Sequence, residues 1–548
     1  MTSFSREAEN DDRLRKQVSD YGQAEVIIPD PGHEAIDYLS RNVSIRSINK
    51  KGVSIILSPV TVEWFISSGF SYSLVEPSPV KGIVSSSNLK KAMEWDTYPT
   101  YRQYDSIMRF FAEEYSSISM LDTIGTTLDG RLVMVLKISD NCKEDEDEPE
   151  VFLTSTMHGD ETGGFILMLR LADYLLENYD SDTRIRELAD NTEIWINPLA
   201  NPDGTYTDGN EIYMPVRGNA AGYDLNRNFP DPVMPGTVLQ KETLDMMKFL
   251  SERRFVLSAN FHSGAEVVNY PWDRWLRDHA DKLWYYSVCR AYADTAHIYS
   301  PPGYMDYFDN GVTNGYMWYP VYGSRQDYVT WELHGREITI EVDDDFITPA
   351  YELQELWDSN RRSLLGFLEN AMYGIHGLVN DSENGNPVPA MILVKGHDKD
   401  RSEAYADSTS GRFVRFLSPG IWDLSFSADG YHDTTVQDVV VSAFDKTGLV
   451  VRMNRIVNGI DTSETGRPVL YPNPARGLVK AELPGNMSGA INVRIFNSAG
   501  VKLSDYDDFY TDGIPLLLNV MNLREGFYIV SFTLKGTGRT CHGRFILD

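Results

Sequence analysis

Two histidines and a glutamate carry the first chemical signal in this chain. In EVFLTSTMHGDETGG an apolar run gives way to His158 and Glu161, an H-x-x-E spacing at a strand-to-helix turn. Both side chains can there face one centre, and an imidazole with a carboxylate suits a borderline metal such as zinc. A second apolar run, FVLSANF, ends at His262. Two histidines and one glutamate make an open three-ligand site with room for a water, the catalytic rather than the structural arrangement. The H-x-x-E spacing alone is a weak signal. It equally suits a hydrogen-bonded core histidine at 158, and a lone His262 is more often structural.

Such residues need strand ends to hold them. From about Met93, helix-period segments (YRQYDSIMRFFAEEYS, GGFILMLRLADYLLENY, VLQKETLDMMKFLSERR) alternate with short apolar runs (EVFLTST, EIWINP, FVLSANF, EITIEV). That alternation predicts an α/β domain with a mixed, mostly parallel sheet flanked by helices. Open α/β sheets place their sites outside the carboxyl ends of strands. Before this unit, residues 1 to about 20 are charged and read as disordered. Ala24 to Glu76 reads as a small αβ module, whose position also suits a pro-segment. VEPSPVKGIVSSSN reads as a linker. KEDEDEPE at 143–150 reads as a solvated loop, with calcium binding a lesser alternative.

After about Tyr373 the texture becomes all-β. Trp422, Leu424 and Phe426 alternate with Asp423, Ser425 and Ser427, the pattern of a half-buried strand. This segment reads as a small β-sandwich. The joint NGIDTSETGRP comes next, and then a second all-β segment in which Tyr528, Val530, Phe532 and Leu534 alternate with outward-facing residues.

Composition narrows the partners. The chain has 548 residues, and at roughly 100–200 residues per domain that is about three or four domains. Lys+Arg is 50 against 80 Asp+Glu, a net charge of −30 that repels phosphate and argues against nucleic acid. Cys142, Cys289 and Cys541 are too few and too scattered for a disulfide framework or a cysteine zinc site. No run reaches the ~18 apolar residues of a membrane helix. The polar start MTSFSREAENDDRLRKQ lacks the apolar core of a signal peptide, which taken alone suggests a soluble, cytoplasmic chain.

The blocks INPLANPDGT, VRGNAAGYDLNRNFPD, NFHSGAEVVNYPWD, NGYMWYPVYGSRQDY and EITIEVD, with the H-x-x-E turn before them, occur in an order that resembles the zinc metallocarboxypeptidases. They are most similar to the N/E (regulatory) branch of the carboxypeptidase A superfamily. The resemblance covers about residues 93–372. It implies one Zn²⁺ per chain held by His158, Glu161 and His262, with Glu341 as the base that activates a zinc-bound water. Taken alone, Glu341 also reads as a solvated strand-end carboxylate beside Asp343 and Asp344.

The same resemblance implies that Arg217 stabilises the oxyanion. Asn226 and Arg227 would clamp the substrate's terminal carboxylate, and Tyr319 would close over the bound end. Asp273, eleven residues after His262, would line the pocket for the last side chain together with Gln326. A buried carboxylate there implies a preference for C-terminal Lys or Arg. Gly323, Ser324 and Arg325 depart from the family's consecutive glycines before that glutamine, and an inward-pointing Arg325 would weaken the preference.

Two further segments carry resemblances of their own. GIHGLVNDSENGNPVPAMILVKG, together with STSGRFVRFLSPGIWDLSFSADGYHD, looks like the transthyretin-like sandwich behind N/E catalytic domains. VLYPNPARGLVKAEL and GFYIVSF…FIL look like the type IX secretion sorting domain of Bacteroidetes. The resulting expectation is an N-terminal segment and possible pro-region at 1–90, a zinc carboxypeptidase domain at 91–375, a transthyretin-like sandwich at 376–456 and a sorting domain at 466–548. The implied partners are peptide or protein C-termini and the secretion machinery, and the implied location is outside the cell or on its surface. The absent leader conflicts with that location; we read it as numbering from the mature form or as a misplaced start rather than evidence against export. The competing expectations are the same enzyme with apolar or mixed specificity, or an inactive surface-binding protein.

Overall fold

The computed structural model describes residues 2–77, 82–234, 238–456 and 466–548. Parts of the expected linker (78–81) and joint (457–465) lie outside the described residues. The chain divides into two compact units, Met1–Asn454 and Arg455–Asp548.

The centre of the first unit is an eight-stranded sheet. Its strands are β1 (Ser119–Thr126), β2 (Leu132–Ile138), β3 (Glu150–Ser155), β4 (Glu193–Asn197), β5 (Phe255–His262), β6 (Ala265–Tyr270), β7 (Val312–Asn314) and β8 (Arg336–Asp343), in the order β7-β6-β8-β5-β3-β4-β2-β1. The inner neighbours β4, β3, β5 and β8 run parallel, while β1, β2 and β6 join antiparallel. The sheet is therefore mixed, as the alternating pattern predicts. Its inner strands read as near-continuous apolar runs because both faces are covered. The three helix-period segments form Tyr101–Glu114, Gly163–Asn178 and Lys241–Ser251. The first is fixed at its start by a reciprocal capping box between Thr100 and Gln103. Phe165, Leu167 and Leu169 of the second helix and Leu153, Ala259 and Ile340 of the sheet join one core.

The first residues correct the expectation of disorder. Thr2–Tyr21 is a helix, and its Leu14 and Val18 are buried against Val26, Ile55 and Phe65. Tertiary burial of two apolar positions overrides the charged composition. With this helix, a four-stranded antiparallel sheet (Ser44–Asn49, Gly52–Leu57, Ala24–Ile28, Ser73–Leu74) forms an N-terminal module with its own core.

Residues Gly374–Met453 form a three-stranded and a four-stranded sheet around one core containing Ile375, Ile392, Phe413, Leu424 and Phe426. They are tied to the peptidase region through Asp281, which is fully buried. Its carboxylate accepts from Arg336 Nε (2.9 Å), Arg415 Nη1 (2.8 Å) and Nη2 (2.9 Å), and His397 Nε2 (2.8 Å). Burial opposes its charge, yet Arg415 and Arg336 hold its carboxyl well below the usual range. His397, scattered in sequence, is thus a structural bridge.

The second unit is also all-β. Its three-stranded and four-stranded sheets share a core in which Tyr528, Val530, Phe532 and Leu534 are buried, as their alternation predicts. Among the described residues no helix is long and apolar enough to cross a membrane.

Candidate active site

Strand ends and register assemble the site. β3 ends at Ser155, and the turn after it carries His158 and Glu161 into the helix beginning at Gly163. β5 ends on His262, and the parallel β8 places Glu341 directly opposite it. His158, Glu161 and His262 are all buried. One ligand atom from each lies within 4.8 Å of the others. Glu161 Oε1 lies 2.9 Å from His158 Nδ1, Glu161 Oε2 lies 2.7 Å from His262 Nδ1, and the two imidazole Nδ1 atoms are 3.1 Å apart.

The donor set fits a zinc ion. Two ring nitrogens aimed at each other cannot both carry a proton, and with two carboxylate oxygens they converge on one point. The outer nitrogens are held as metal-bound histidines require. His158 Nε2 donates to Asp224 Oδ1 (2.9 Å). His262 Nε2 faces the Asn260 amide at 2.8 Å, whose unpartnered Oδ1 accepts its proton when the amide is turned over. Burial opposes the charge on Glu161, but His158 and His262 hold its carboxyl well below the usual range. His262 is lowered by burial, against the pull of Glu161. His158 is raised: burial and Arg217 work against its proton, and Glu161 and Asp224 outweigh them.

Around this centre stand the other expected residues. Arg217 donates to Glu161 Oε1 (2.8 Å) and, through Nε, to Asp224 Oδ2 (2.9 Å). Glu341 is raised well above the usual carboxyl range by burial and by Glu161, with Arg217 offsetting part of this. Arg227 uses Nη1 on the Asn226 carbonyl (2.9 Å), while its Nε and Nη2 are buried without a partner. Tyr319 is raised by burial, which Arg227 and Arg217 partly offset.

Asp273 is buried, and its Oδ1 accepts from Gln326 Nε2 at 2.7 Å; the same amide donates to Asn269 Oδ1 (3.0 Å). Burial pushes the Asp273 carboxyl up to about 6, opposed by Ser324 and Arg227. Asp327 beside it is raised well above the usual carboxyl range by burial and by Asp273, while its two oxygens accept the backbone N–H groups of Asp273 (2.9 Å) and Arg274 (3.0 Å). Arg325 turns away from this pocket: Nη2 donates to Glu337 Oε2 (2.9 Å), and its backbone N–H meets Asn226 Oδ1 (3.0 Å). The acidic stretch Asp140, Glu146 and Glu148 gathers three carboxylates, but it lies outside this cavity.

His158, Glu161, His262, Glu341, Arg217, Asn226, Arg227, Asp273 and Tyr319 line one cavity of about 40 Å³. Gln326 reaches it through Asp273. Sequence reasoning missed several neighbours. Asp224 orients both His158 and Arg217. Gly315 approaches Asp273 so closely that a β-carbon would sit 2.0 Å from Oδ1. Its place in the NGYMWY block was the available signal.

The N-terminal module supplies the rest of the wall. Ile45 and Arg46 line the cavity. Arg46 Nη1 donates to Asp160 Oδ2 (2.9 Å) and its guanidinium lies 3.5 Å above the Phe346 ring. Ser44 Oγ donates to Asp224 Oδ2 (2.6 Å), Gln23 Oε1 accepts from the Arg217 N–H (2.9 Å), and Tyr319 packs on the module's core. No short-range sequence signal links residues so far apart. A larger cleft of about 560 Å³ runs between the module and the peptidase region. It shares Arg217 and Arg227 with the small cavity but touches none of His158, Glu161, His262 or Glu341.

The zinc carboxypeptidase family profile matches residues 104–363, and that of the secretion system C-terminal sorting domain matches 469–546. Over 356 residues the chain is 35% identical to carboxypeptidase SOL1 of Arabidopsis thaliana, covering 62% of this chain and 69% of that protein. It is 34% identical over 381 residues to the carboxypeptidase N catalytic chain of Homo sapiens, covering 61% and 82%. It is 34% identical over 355 residues to carboxypeptidase D of Homo sapiens, where it spans 61% of this chain but only 25% of that protein. The carboxypeptidase N and D relatives are of the N/E, regulatory type. The chain therefore belongs to the zinc carboxypeptidase family, a metallocarboxypeptidase that also carries a secretion sorting domain.

Proposed function

We propose that this chain removes C-terminal Lys or Arg from peptides and proteins with one zinc per chain, held by His158, Glu161 and His262. The observation that carries the reading is one cavity lined by this ligand set, Glu341, Arg217, Arg227 and Asp273. When bound, the metal supplies a Lewis acid and makes a coordinated water more acidic. Glu341 takes the proton of the attacking water and returns it to the leaving amine. Arg217 faces the developing oxyanion. The unpartnered Nε and Nη2 of Arg227 suit a two-point grip on the substrate carboxylate, with Asn226 beside them. Tyr319 covers the bound end. Asp273, charged at neutral pH and held by Gln326, offers a buried anion to a basic side chain. Arg325, engaged by Glu337, does not compete for it.

The test offers peptides ending in Lys, Arg, Phe, Leu and Glu, with and without a chelator. Chelator-sensitive release of Lys and Arg at the highest kcat/KM supports the reading. Equal release of Phe or Leu would remove the specificity and leave the peptidase.

Residues 1–90 act in this reading as a pro-segment over the mouth of the site. A 40 Å³ cavity has room for a few waters and falls well below the ~300–1,000 Å³ of ligand pockets. Ile45 and Arg46 take up part of that wall. A specific protease site inserted after Pro77 provides the check: cleavage should raise kcat/KM at least about tenfold if the module blocks entry. Equal activity before and after cleavage would assign the module a purely structural part. The segment 376–456 acts as a transthyretin-like support. The tail directs export through the type IX machinery to the surface or medium of a Bacteroidetes-type bacterium.

A further inference from the structure

A line of aromatic rings leads from this cavity to the surface. Trp318 and Tyr319 both line the cavity, their rings 5.3 Å apart and near perpendicular. The Phe308 ring lies 5.5 Å from Trp318, and Tyr307 lies 6.1 Å from Phe308. At the outer end Phe308 is 45% exposed, Tyr307 73% and Met317 66%. Single exposed apolar residues are ordinary, but a contiguous aromatic run joined to a pocket marks a binding surface.

The backbone gives a second, independent pointer. Phe308 has φ 55° and ψ −132°, a positive-φ backbone conformation that favours glycine. The turn is fixed from several sides. Tyr286 Oη donates to Asp309 Oδ2 (2.8 Å), Arg290 Nη1 donates to the Asp309 carbonyl (2.8 Å), and the Gly311 N–H donates to the Tyr307 carbonyl (2.7 Å). These bonds hold a large aromatic side chain at a backbone position that disfavours it, half in water. Folding alone gains little from that arrangement.

We propose that Tyr307, Phe308 and Trp318 form a track for the substrate chain upstream of the scissile bond, selecting an aromatic side chain a few residues before the C-terminus. The inference rests on the carboxypeptidase reading above. The occupant is set by continuity: Trp318 touches both the cavity and the outer rings, and a peptide whose end lies under Tyr319 must leave the site past one of its walls. Two ring-to-ring steps separate Phe308 from Tyr319, a distance spanned by about three extended residues. Offset or edge-on ring contacts there favour Phe, Tyr or Trp over a small polar residue by about three- to tenfold.

The experiment uses the full chain and seven-residue peptides ending in Arg, with Phe or Ser placed in turn at the second to fifth residue from the C-terminus. A blocked dipeptide ending in Arg serves as the short reference. The quantity read is the Phe/Ser ratio of kcat/KM at each position, which cancels any fraction of closed enzyme. The expected ratio is about three to ten at the third or fourth residue, falling towards one in Phe308→Ala and in Tyr307→Ala. A ratio near one in the wild type, or one unchanged in both variants, overturns the track. If the blocked dipeptide and every longer peptide are left intact, the carboxypeptidase reading fails and the track with it. Cleavage of the dipeptide with no Phe/Ser preference sinks the track alone.

Discussion

Glu341 and His262 face each other across two parallel strands, paired in register at the last residue of β5 and two residues before the end of β8. The proposed base and one proposed metal ligand are therefore set by the same hydrogen-bonded ladder, and neither depends on a loop for its position. Glu341→Gln keeps the shape and removes the proton acceptor. It should retain zinc and lower kcat by about 10²–10⁴-fold. His262→Ala should instead lose the metal. Elemental analysis alongside steady-state rates separates the two, and near-normal turnover in Glu341→Gln would move the base elsewhere.

Asp273 gives the specificity prediction. Replacing it by Ala removes a buried anion that a basic side chain would pair with, a loss of about 3–5 kcal/mol for a hydrogen-bonded pair. Release of C-terminal Arg and Lys should fall by roughly a hundredfold or more in kcat/KM, while apolar ends are spared or improved. Unchanged Arg release would place the pocket elsewhere.

The same residue sets a pH dependence. Burial raises the Asp273 carboxyl to about 6, so the pocket is anionic at pH 7 and above and neutral well below pH 6. The Arg-over-Leu ratio of kcat/KM should hold on the alkaline side and decline as pH falls through about 6. Taking a ratio cancels the titration of Glu341 and the metal ligands. A ratio flat from pH 7.5 to 5 would contradict it.

Stability should depend on Asp281. Its carboxylate faces two buried guanidiniums, Arg336 and Arg415. Asp281→Ala leaves Arg336 without a counter-ion and Arg415 with Asp398 alone, and breaking a buried ion pair this way costs about 3–5 kcal/mol. Thermal or urea unfolding should register that loss. A shift below about 1 kcal/mol would mean that Asp281 does not hold this junction.

Ending the chain after Asn454 should leave peptidase kinetics unchanged. Arg455–Asp548 is a compact unit with its own core, and its profile match is to a sorting domain. A folded, zinc-loaded truncation without activity would refute this. Export from a host with the type IX system should be lost.

Much of the candidate site was legible because it sits at or near strand ends. His158, Glu161, His262 and Glu341 come after or close apolar runs, and a run plus its polar terminus can be read locally. The side chains that orient them were not legible. Asp224 reaches His158 across 66 positions, and Ser44 reaches Asp224 across 180. The direction of Arg325 was unreadable for the same reason, since its partner Glu337 is chosen by the packing of a helix on β8. The helix at Thr2–Tyr21 was misread because composition registers its charges and not the two apolar positions that the module's core requires.

The Asp281 junction also bears on how this enzyme could be moved between proteins. A peptidase joined to its β-rich neighbour by a greasy interface could be trimmed and resurfaced with polar side chains. Here the cut would expose or strand opposite charges on both sides, Asp281 and Arg336 on one and Arg415 and His397 on the other. The smallest transplantable piece is thus set by electrostatics rather than by where the catalytic motifs stop. A fusion or library built on this scaffold should carry residues through Asn454, even though the last proposed catalytic residue is Glu341.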